Sequence, residues 1–124
     1  MKRKRLRIGI ATPQEFRART HAIVRGEYKP KVNEPKVWFE SLKSAAQVLS
    51  EQNQVLLKVI DERHPESLKE LEEMTGRKSS SLSRTLKTME KYGIVKLRRE
   101  NNHLVPEVIV TSFQIEFGIR DSFA

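Results

Sequence analysis

Two segments at opposite ends of the 124-residue chain alternate apolar with polar or small residues. Near the amino terminus the apolar positions are Leu6, Ile8 and Ile10. In the stretch VTSFQIEFGI they are Phe113, Ile115, Phe117 and Ile119. A period of two is typical of a strand with one apolar face. A chain of this size has little spare core, so we expect the two strands to pair with each other, with a second subunit or with a protein partner, unless they simply complete the domain's own sheet.

The stretch TPQEFRARTHAIVRGE predicts the first helix. Thr12 and Glu15 have the spacing of a capping box, Pro13 suits the first turn, and Gly26 can end the helix. The residues expected on its buried side are Phe16, Thr20, Ile23 and Val24. The next stretch, EYKPKVNEPK, has two prolines and mixed charge, which predicts a linker.

Two helices are predicted between residues 41 and 63, with Ser50 as the cap of the second. The residues that form its expected core stripe are Val55, Leu56, Val59 and Ile60. A capping box at Ser67 and Glu70 then begins a short helix that Gly76 ends. The following helix starts near Ser79, and only TGRK separates the two. Two short helices joined by so brief a turn are typical of a helix-turn-helix.

The stretch from Thr75 to Arg99 holds eight lysines and arginines but a single acid, Glu90. At about 100° per residue, its apolar residues Leu82, Leu86 and Met89 share one narrow sector of the predicted helix. The opposite side carries Arg77, Ser80, Arg84, Lys87 and Lys91. Serines permit close approach to a duplex, and arginine can contact guanine or phosphate in bidentate fashion. This division suits a DNA-recognition helix, although a surface helix with lysines for solubility has the same pattern.

A basic hairpin is predicted directly after this helix, in IVKLRRENNHLVPEVIV. The Asn101–Asn102 pair favours a tight turn between its strands. Pro106 cannot donate to a ladder, so the second strand is expected to be at an edge or to bend there. Such a hairpin is the wing of a winged helix, where Lys96, Arg98 and Arg99 would lie near the DNA backbone or minor groove. A hairpin that merely carries surface lysines is the alternative.

Composition narrows the classes of function. The formal charge of +8 and pI near 10 favour an acidic partner such as nucleic acid. The chain has no cysteine, so it has no disulfides or thiolate metal sites. No apolar run is long enough for a signal peptide or membrane span, which predicts a soluble, cytoplasmic protein. Its three histidines are far apart and no acid–base constellation is present, so we expect no metal, no cofactor and no enzymatic activity.

The stretch SLKELEEMTGRKSSSLSRTLKTMEKYGIVKLRR resembles the winged helix-turn-helix core of small prokaryotic transcriptional regulators of the MarR and ArsR types. LSRTLKTMEKYGIV carries most of the likeness, and the core resemblance covers about residues 41–110. The wider layout, with an FES segment at residues 39–41, resembles a group of archaeal and bacterial winged-helix proteins that includes antitoxins. The resemblance implies DNA binding through Ser80, Arg84 and Lys87, and autoregulation of an operon that encodes a partner.

The sequence therefore predicts an α+β fold, a winged helix-turn-helix with additions at both ends. The expected segments are a strand–helix extension and linker at 1–35, the DNA-binding domain at 36–110 and an assembly strand at 111–124. The expected function is that of a sequence-specific regulator that binds double-stranded DNA as a homodimer, an autorepressing antitoxin with a possible cognate toxin. The alternative is an interaction module that mainly neutralises a toxin enzyme.

Two sets of residues carry these expectations. The predicted DNA-binding residues are Arg77, Lys78, Ser80, Ser81, Arg84, Lys87, Lys91, Lys96, Arg98 and Arg99. The predicted interface residues are Leu6, Ile8, Ile10, Phe113, Ile115 and Phe117.

Overall fold

The computed structural model describes residues 4–119, and within them five helices and five strands form a mixed α+β fold. The elements are β1 Lys4–Ile10, α1 Pro13–Val24, β2 Val37–Phe39, α2 Leu42–Val48, α3 Glu51–Arg63, α4 Leu68–Thr75, α5 Ser79–Lys91, β3 Val95–Glu100, β4 His103–Val108 and β5 Val110–Glu116. Residues 1–3 and 120–124 of the predicted end segments lie outside the described residues.

The described chain divides into two compact units. We call residues 5–46 together with 112–119 the strand–helix unit, and Lys4 together with 47–111 the helical unit. β2 and most of α2, which the sequence grouped with the central segment 36–110, lie in the strand–helix unit.

A three-stranded sheet in the order β2-β1-β5 forms the base of the strand–helix unit. β1 and β2 are parallel, with Gly9 opposite Trp38 and Ile10 opposite Phe39. A Cβ atom on Gly9 would come within 2.4 Å of the Trp38 ring. Because no side chain fits there, glycine is what allows the indole to lie directly over β1.

Helix α1 begins and ends as predicted. Thr12 Oγ1 accepts from the Glu15 N–H at 3.2 Å, and Glu15 Oε1 accepts from the Thr12 N–H at 2.8 Å, so the capping box is complete. The chain leaves the helix through Gly26, whose φ of 76° is in the left-handed region that glycine adopts without strain.

The buried side predicted for α1 is wrong except at Ile23, which is half-buried. Phe16 is 40% exposed, Val24 is 80% exposed and Thr20 is exposed, while the buried residue of the helix is Arg19. Its guanidinium lies 3.1 Å from a Glu34 carboxylate oxygen and 5.1 Å from the centre of the Trp38 ring. An ion pair and a cation–π contact thus replace the apolar packing that the spacing suggested.

The predicted linker contains no helix or strand, but it is held to the strand–helix unit. Glu34 forms the ion pair with Arg19, the Arg7 guanidinium donates to the Asn33 carbonyl, and the Lys36 N–H donates to the Arg7 carbonyl at 3.3 Å. The segment is therefore a fixed connection within this unit.

The helical unit has a core built from α3, α4, α5 and the β3–β4 hairpin. Its buried apolar residues include Leu56, Leu57, Ile60, Leu71, Leu82, Leu86, Met89, Ile94, Val95, Val105 and Val108. The expected stripe of α3 needs correction, since Val55 is 61% exposed and Leu57 is buried in its place. Ser50 and Ser67 cap α3 and α4 as predicted, with hydroxyls that accept from the backbone N–H groups three residues later.

The predicted hairpin is present. β3 and β4 pair antiparallel from Val95 opposite Val108 to Glu100 opposite His103. Asn101 and Asn102 form the turn with φ values of 49° and 66°, the two positive angles that a type I′ turn requires. Among the described residues, no helix is both long and apolar enough to cross a membrane.

Candidate nucleic-acid interface

Helices α4 and α5 are joined by the three residues from Gly76 to Lys78, and Gly76 makes the turn with a φ of 75°. Leu82, Leu86 and Met89 are fully buried, as their spacing predicted, and they fix one side of α5 against the core. We call the exposed residues on its other side the basic face: Ser80, Ser81, Arg84, Lys87 and Lys91.

The cations of the basic face are not neutralised within the described chain. No ion pair between described residues involves Arg84, Lys87 or Lys91. The Lys91 ammonium lies 5.8 Å from the centre of the Tyr92 ring, which leaves its charge in place. Lys78, the residue before the helix, is also exposed. The surface therefore presents net positive charge on a rigid helix.

Arg77 differs from the other predicted DNA-binding residues because its guanidinium donates hydrogen bonds to side chains of the helical unit. Nη1 donates to Asn53 Oδ1 on α3 at 3.1 Å, and Nη2 donates to Thr85 Oγ1 on α5 at 3.3 Å. The side chain is half-buried. Arg77 thus lies beside the basic face and connects α5 to α3.

An acidic side chain holds the beginning of α5. Glu72 Oε2 accepts from the Ser79 N–H at 2.7 Å and from the Ser79 hydroxyl at 3.2 Å. A carboxylate at a helix amino terminus satisfies a free N–H and opposes the helix dipole. Since Lys78, the residue at the N-cap position, makes no side-chain cap bond, Glu72 on α4 takes over this role and fixes the turn.

The three predicted cations of the hairpin lie in different surroundings. Arg98 forms ion pairs with Glu100 and Glu107, the latter with 3.3 Å between Nε and Oε2. Lys96 and Arg99 are exposed, and no ion pair between described residues involves them. Because side chains alternate along a strand, Arg99 points to the opposite face of the hairpin from Arg98.

Glu90, the single acid of the basic stretch, connects α5 to the hairpin. Its Oε2 accepts from the Leu97 N–H of β3 at 3.0 Å. Leu97 is opposite Pro106 on β4. The Leu97 N–H points away from β4, toward Glu90, so this is a pair without hydrogen bonds between its two residues. The absence of an N–H on Pro106 therefore removes no hydrogen bond between the two strands. Glu90 therefore provides an acceptor for a backbone N–H on the outer edge of β3 and fixes the position of the hairpin relative to α5.

A cleft in the helical unit carries the opposite charge from α5. It lies between the α3–α4 connection and the hairpin, and its acidic lining residues are Asp61, Glu66, Glu70, Glu100 and Glu107. The hairpin face that carries Arg98 belongs to this acidic lining. A polyanion is therefore repelled from this side of the unit and attracted to the basic face.

Asn53, Glu72 and Glu90 were not singled out as candidates from the sequence. Asn53 and Glu72 gave no local signal, because their partners are 24 and seven residues away in the chain. Glu90 could have been found, since a lone acid among eight cations needs a reason. No metal site was expected, and within residues 4–119 no three His, Cys, Asp or Glu side chains are grouped so that they could hold an ion.

The sequence profile of the HVO_A0114 family matches residues 48–115, more than half of the chain. The chain belongs to the HVO_A0114 family. The matched part of this HVO_A0114-family protein runs from the end of α2 to Ile115 in β5, and it includes the basic face and the hairpin. No curated protein was found to match. A crystal structure of a predicted DNA-binding transcriptional regulator from E. coli covers 73% of this chain and 81% of its own, with 16% sequence identity and a TM-score of 0.45.

Proposed function

We propose that this HVO_A0114-family protein is a sequence-specific, DNA-binding transcriptional regulator that uses α3–β4 as a winged helix-turn-helix. One observation carries the proposal: α5 has a fully buried apolar side and, opposite to it, three cations without an acidic partner among the described residues. Solubility requires only net charge somewhere on the surface, whereas DNA binding requires cations that are grouped on one face and free to meet phosphates.

The proposed contacts follow from these surroundings. α5 enters the major groove, where Ser80 and Ser81 permit close approach and Arg84 reads a base edge. Lys87 and Lys91 contact phosphates. Lys78 and Arg99 contact the flanking backbone, whereas Lys96 and Arg98 contribute little because both lie on the hairpin face that carries Glu100 and Glu107. Arg77 positions α5 instead of contacting DNA.

The more detailed part of the proposal is that the protein acts in the cytoplasm as a homodimeric, autorepressing antitoxin. It draws on the resemblance of residues 41–110 and of the wider layout to prokaryotic winged-helix antitoxins and regulators. The second candidate is a module that mainly covers a toxin enzyme. The exposed apolar residues Phe16, Phe117 and Ile119 of the strand–helix unit favour a protein partner of this kind. The two candidates differ in whether the purified protein alone binds its promoter.

The test compares binding of the purified protein to a duplex of its own promoter and to a random duplex of equal length. Arg84→Ala should weaken promoter binding by about 1–3 kcal/mol and reduce the preference for the promoter, because a base contact is lost. Arg99→Ala should weaken both duplexes equally, and Arg98→Ala should change neither. Lys58→Ala, at an exposed residue of α3, is the control for lost charge.

Two results would contradict the proposal. If the wild type shifts neither duplex, the protein does not bind DNA by itself and the interaction module becomes the better account. If Arg84→Ala weakens promoter and random duplexes by the same factor, Arg84 contacts phosphate and does not read a base.

A further inference from the structure

β5 is an unprotected edge of the three-stranded sheet. It is the last strand in the order β2-β1-β5 and extends over seven residues, whereas the other edge strand, β2, has three. Edge strands of soluble proteins are normally blunted by charges, prolines or bulges, because free backbone groups invite another strand. From Val110 to Ile115 the strand carries no charge and no proline.

The one charged residue of β5 is already paired within the unit. Glu116 Oε1 lies 3.5 Å from Arg7 Nε on the neighbouring strand and accepts from Gln114 Nε2 at 3.1 Å. Apart from Glu116, the strand therefore presents only uncharged side chains beside its free backbone groups. This property distinguishes it from the rest of a chain with a net charge of +8.

The apolar side chains at the end of β5 are also uncovered. Ile115 is 38% exposed, Phe117 is 61% exposed and Ile119 is fully exposed. The predicted interface residues of β1 are different, since Ile8 is fully buried and Leu6 and Ile10 are half-buried. Surface available to a partner is thus provided by the carboxy-terminal strand and not by the amino-terminal one.

These properties fit a second copy of this chain. Copies with a net charge of +8 repel each other, so a stable contact between them must lie where charge is absent. A two-fold axis brings the same residues together from both chains. If the axis passes near Ile115 in antiparallel pairing, Glu116 is opposite Gln114 of the other copy, and no like charges meet.

We propose that β5 pairs antiparallel with β5 of a second copy, so that the two three-stranded sheets become one continuous sheet. The backbone groups of both edges are then satisfied. The side chains at positions 113, 115 and 117 of both copies lie on one face of the joined sheet, where they cover each other. The proposal rests on the strand–helix unit alone and does not depend on DNA binding.

The experiment is sedimentation of the purified protein without DNA. The wild type should be a dimer at micromolar concentration. Ile115→Asp combined with Phe117→Asp should sediment as a monomer, because the change brings carboxylates into the contact. The matched control is Val24→Asp combined with Val32→Asp, which places the same charges at residues that are 80% and 96% exposed elsewhere on the unit, and it should remain a dimer.

Gln114→Glu is a second variant that places a carboxylate opposite Glu116 of the other copy and removes no apolar side chain. It should also be a monomer, with unchanged fluorescence of Trp38, the only tryptophan. If the Trp38 fluorescence shows that the double aspartate variant is misfolded, the second variant alone tests whether β5 forms the dimer contact.

A monomeric wild type, including one that pairs only with a different co-expressed protein, would overturn the proposal. A dimeric Gln114→Glu variant, or a control that also dissociates, would also overturn the proposal. For the wild type and each variant, binding to a duplex with a single half-site is measured separately. A protein that is monomeric but still binds this duplex contradicts the dimer proposal and leaves the proposed function intact.

Discussion

Arg19, Arg77, Arg84 and Arg98 carry the same charge, but what surrounds that charge differs. Arg19 is buried against Glu34, Trp38 and Tyr28. Arg77 is bound between two helices, Arg98 is neutralised by two acids, and Arg84 is exposed without an acidic partner among the described residues. Only the last of these environments leaves the guanidinium available to a nucleic acid, and this is why Arg84 has the central role in the proposed contact.

The Arg19–Glu34 pair gives a prediction about stability. Both side chains are nearly buried, with exposed fractions of 11% and 14%, so Glu34→Ala leaves an uncompensated guanidinium inside the strand–helix unit. Removal of one partner from a buried pair costs about 3–5 kcal/mol. Trp38, the only tryptophan, lies against Arg19, so its fluorescence reports the unfolding of this unit.

The free energy of unfolding is measured by urea titration of that fluorescence. Glu27→Ala is the matched control, because Glu27 is exposed in the same connection. Glu34→Ala should lower the urea midpoint strongly and Glu27→Ala should hardly change it. Equal midpoints for the two variants would show that the buried pair adds no stability.

Helix α5 and the β3–β4 hairpin act as connected elements. Glu72 fixes the start of α5, Arg77 ties it to α3, and Glu90 binds the edge of β3 near its other end. Together these contacts determine the direction of the basic face and the position of the hairpin. We therefore expect residues that do not contact DNA to affect binding through geometry.

Glu90 provides a test in which charge and geometry predict opposite results. Removal of an acid beside a cationic surface should strengthen DNA binding if only charge matters. Glu90→Gln keeps an oxygen that can accept from the Leu97 N–H, whereas Glu90→Ala does not. If Glu90 positions the hairpin, Glu90→Ala should bind the promoter duplex about threefold to tenfold more weakly than Glu90→Gln, the equivalent of about one hydrogen bond.

Fluorescence anisotropy with both variants and the wild type measures the difference. Equal affinities for the glutamine and alanine variants, both tighter than the wild type, would mean that Glu90 acts by its charge alone. The hairpin would then be held in place by its apolar contacts.

Elements defined by local rules could be predicted from the sequence. The buried side of α5, the Thr12–Glu15 capping box and the Asn101–Asn102 turn each depend on residues close together in the chain. The buried side of α1 could not be predicted. An arginine is buried there because Glu34, fifteen residues away, and the Trp38 ring provide its partners.

The candidate site follows the same division. The basic face follows from helical spacing and could be predicted from the sequence. The different bonding partners of the individual arginines could not. Arg77 and Arg98 have the same local pattern as Arg84 or Arg99. Their partners include Asn53, which is distant in the chain, and Glu107 on the partner strand, and neither partner is visible in the local sequence. The sequence therefore predicted that the basic face is exposed, but not that Arg77 and Arg98 have partners within the helical unit.

At the scale of the whole molecule, opposite charges are sorted onto different surfaces. The described helical unit has cations on α5 and five carboxylates in the cleft between the α3–α4 connection and the hairpin. This arrangement orients the unit in the field of a polyanion before any contact forms. The basic face is the surface that we propose DNA phosphates contact.

The salt dependence of binding to the promoter duplex tests that claim most directly. Each phosphate neutralised by a lysine or arginine contributes about −0.9 to the slope of log affinity against log salt concentration. The wild type should show a steep negative slope, and Lys87→Ala should make it shallower by about one unit. Lys58→Ala removes the same charge from the exposed surface of α3 and should leave the slope unchanged. A flat wild-type slope, or equal effects of the two lysine variants, would contradict the account.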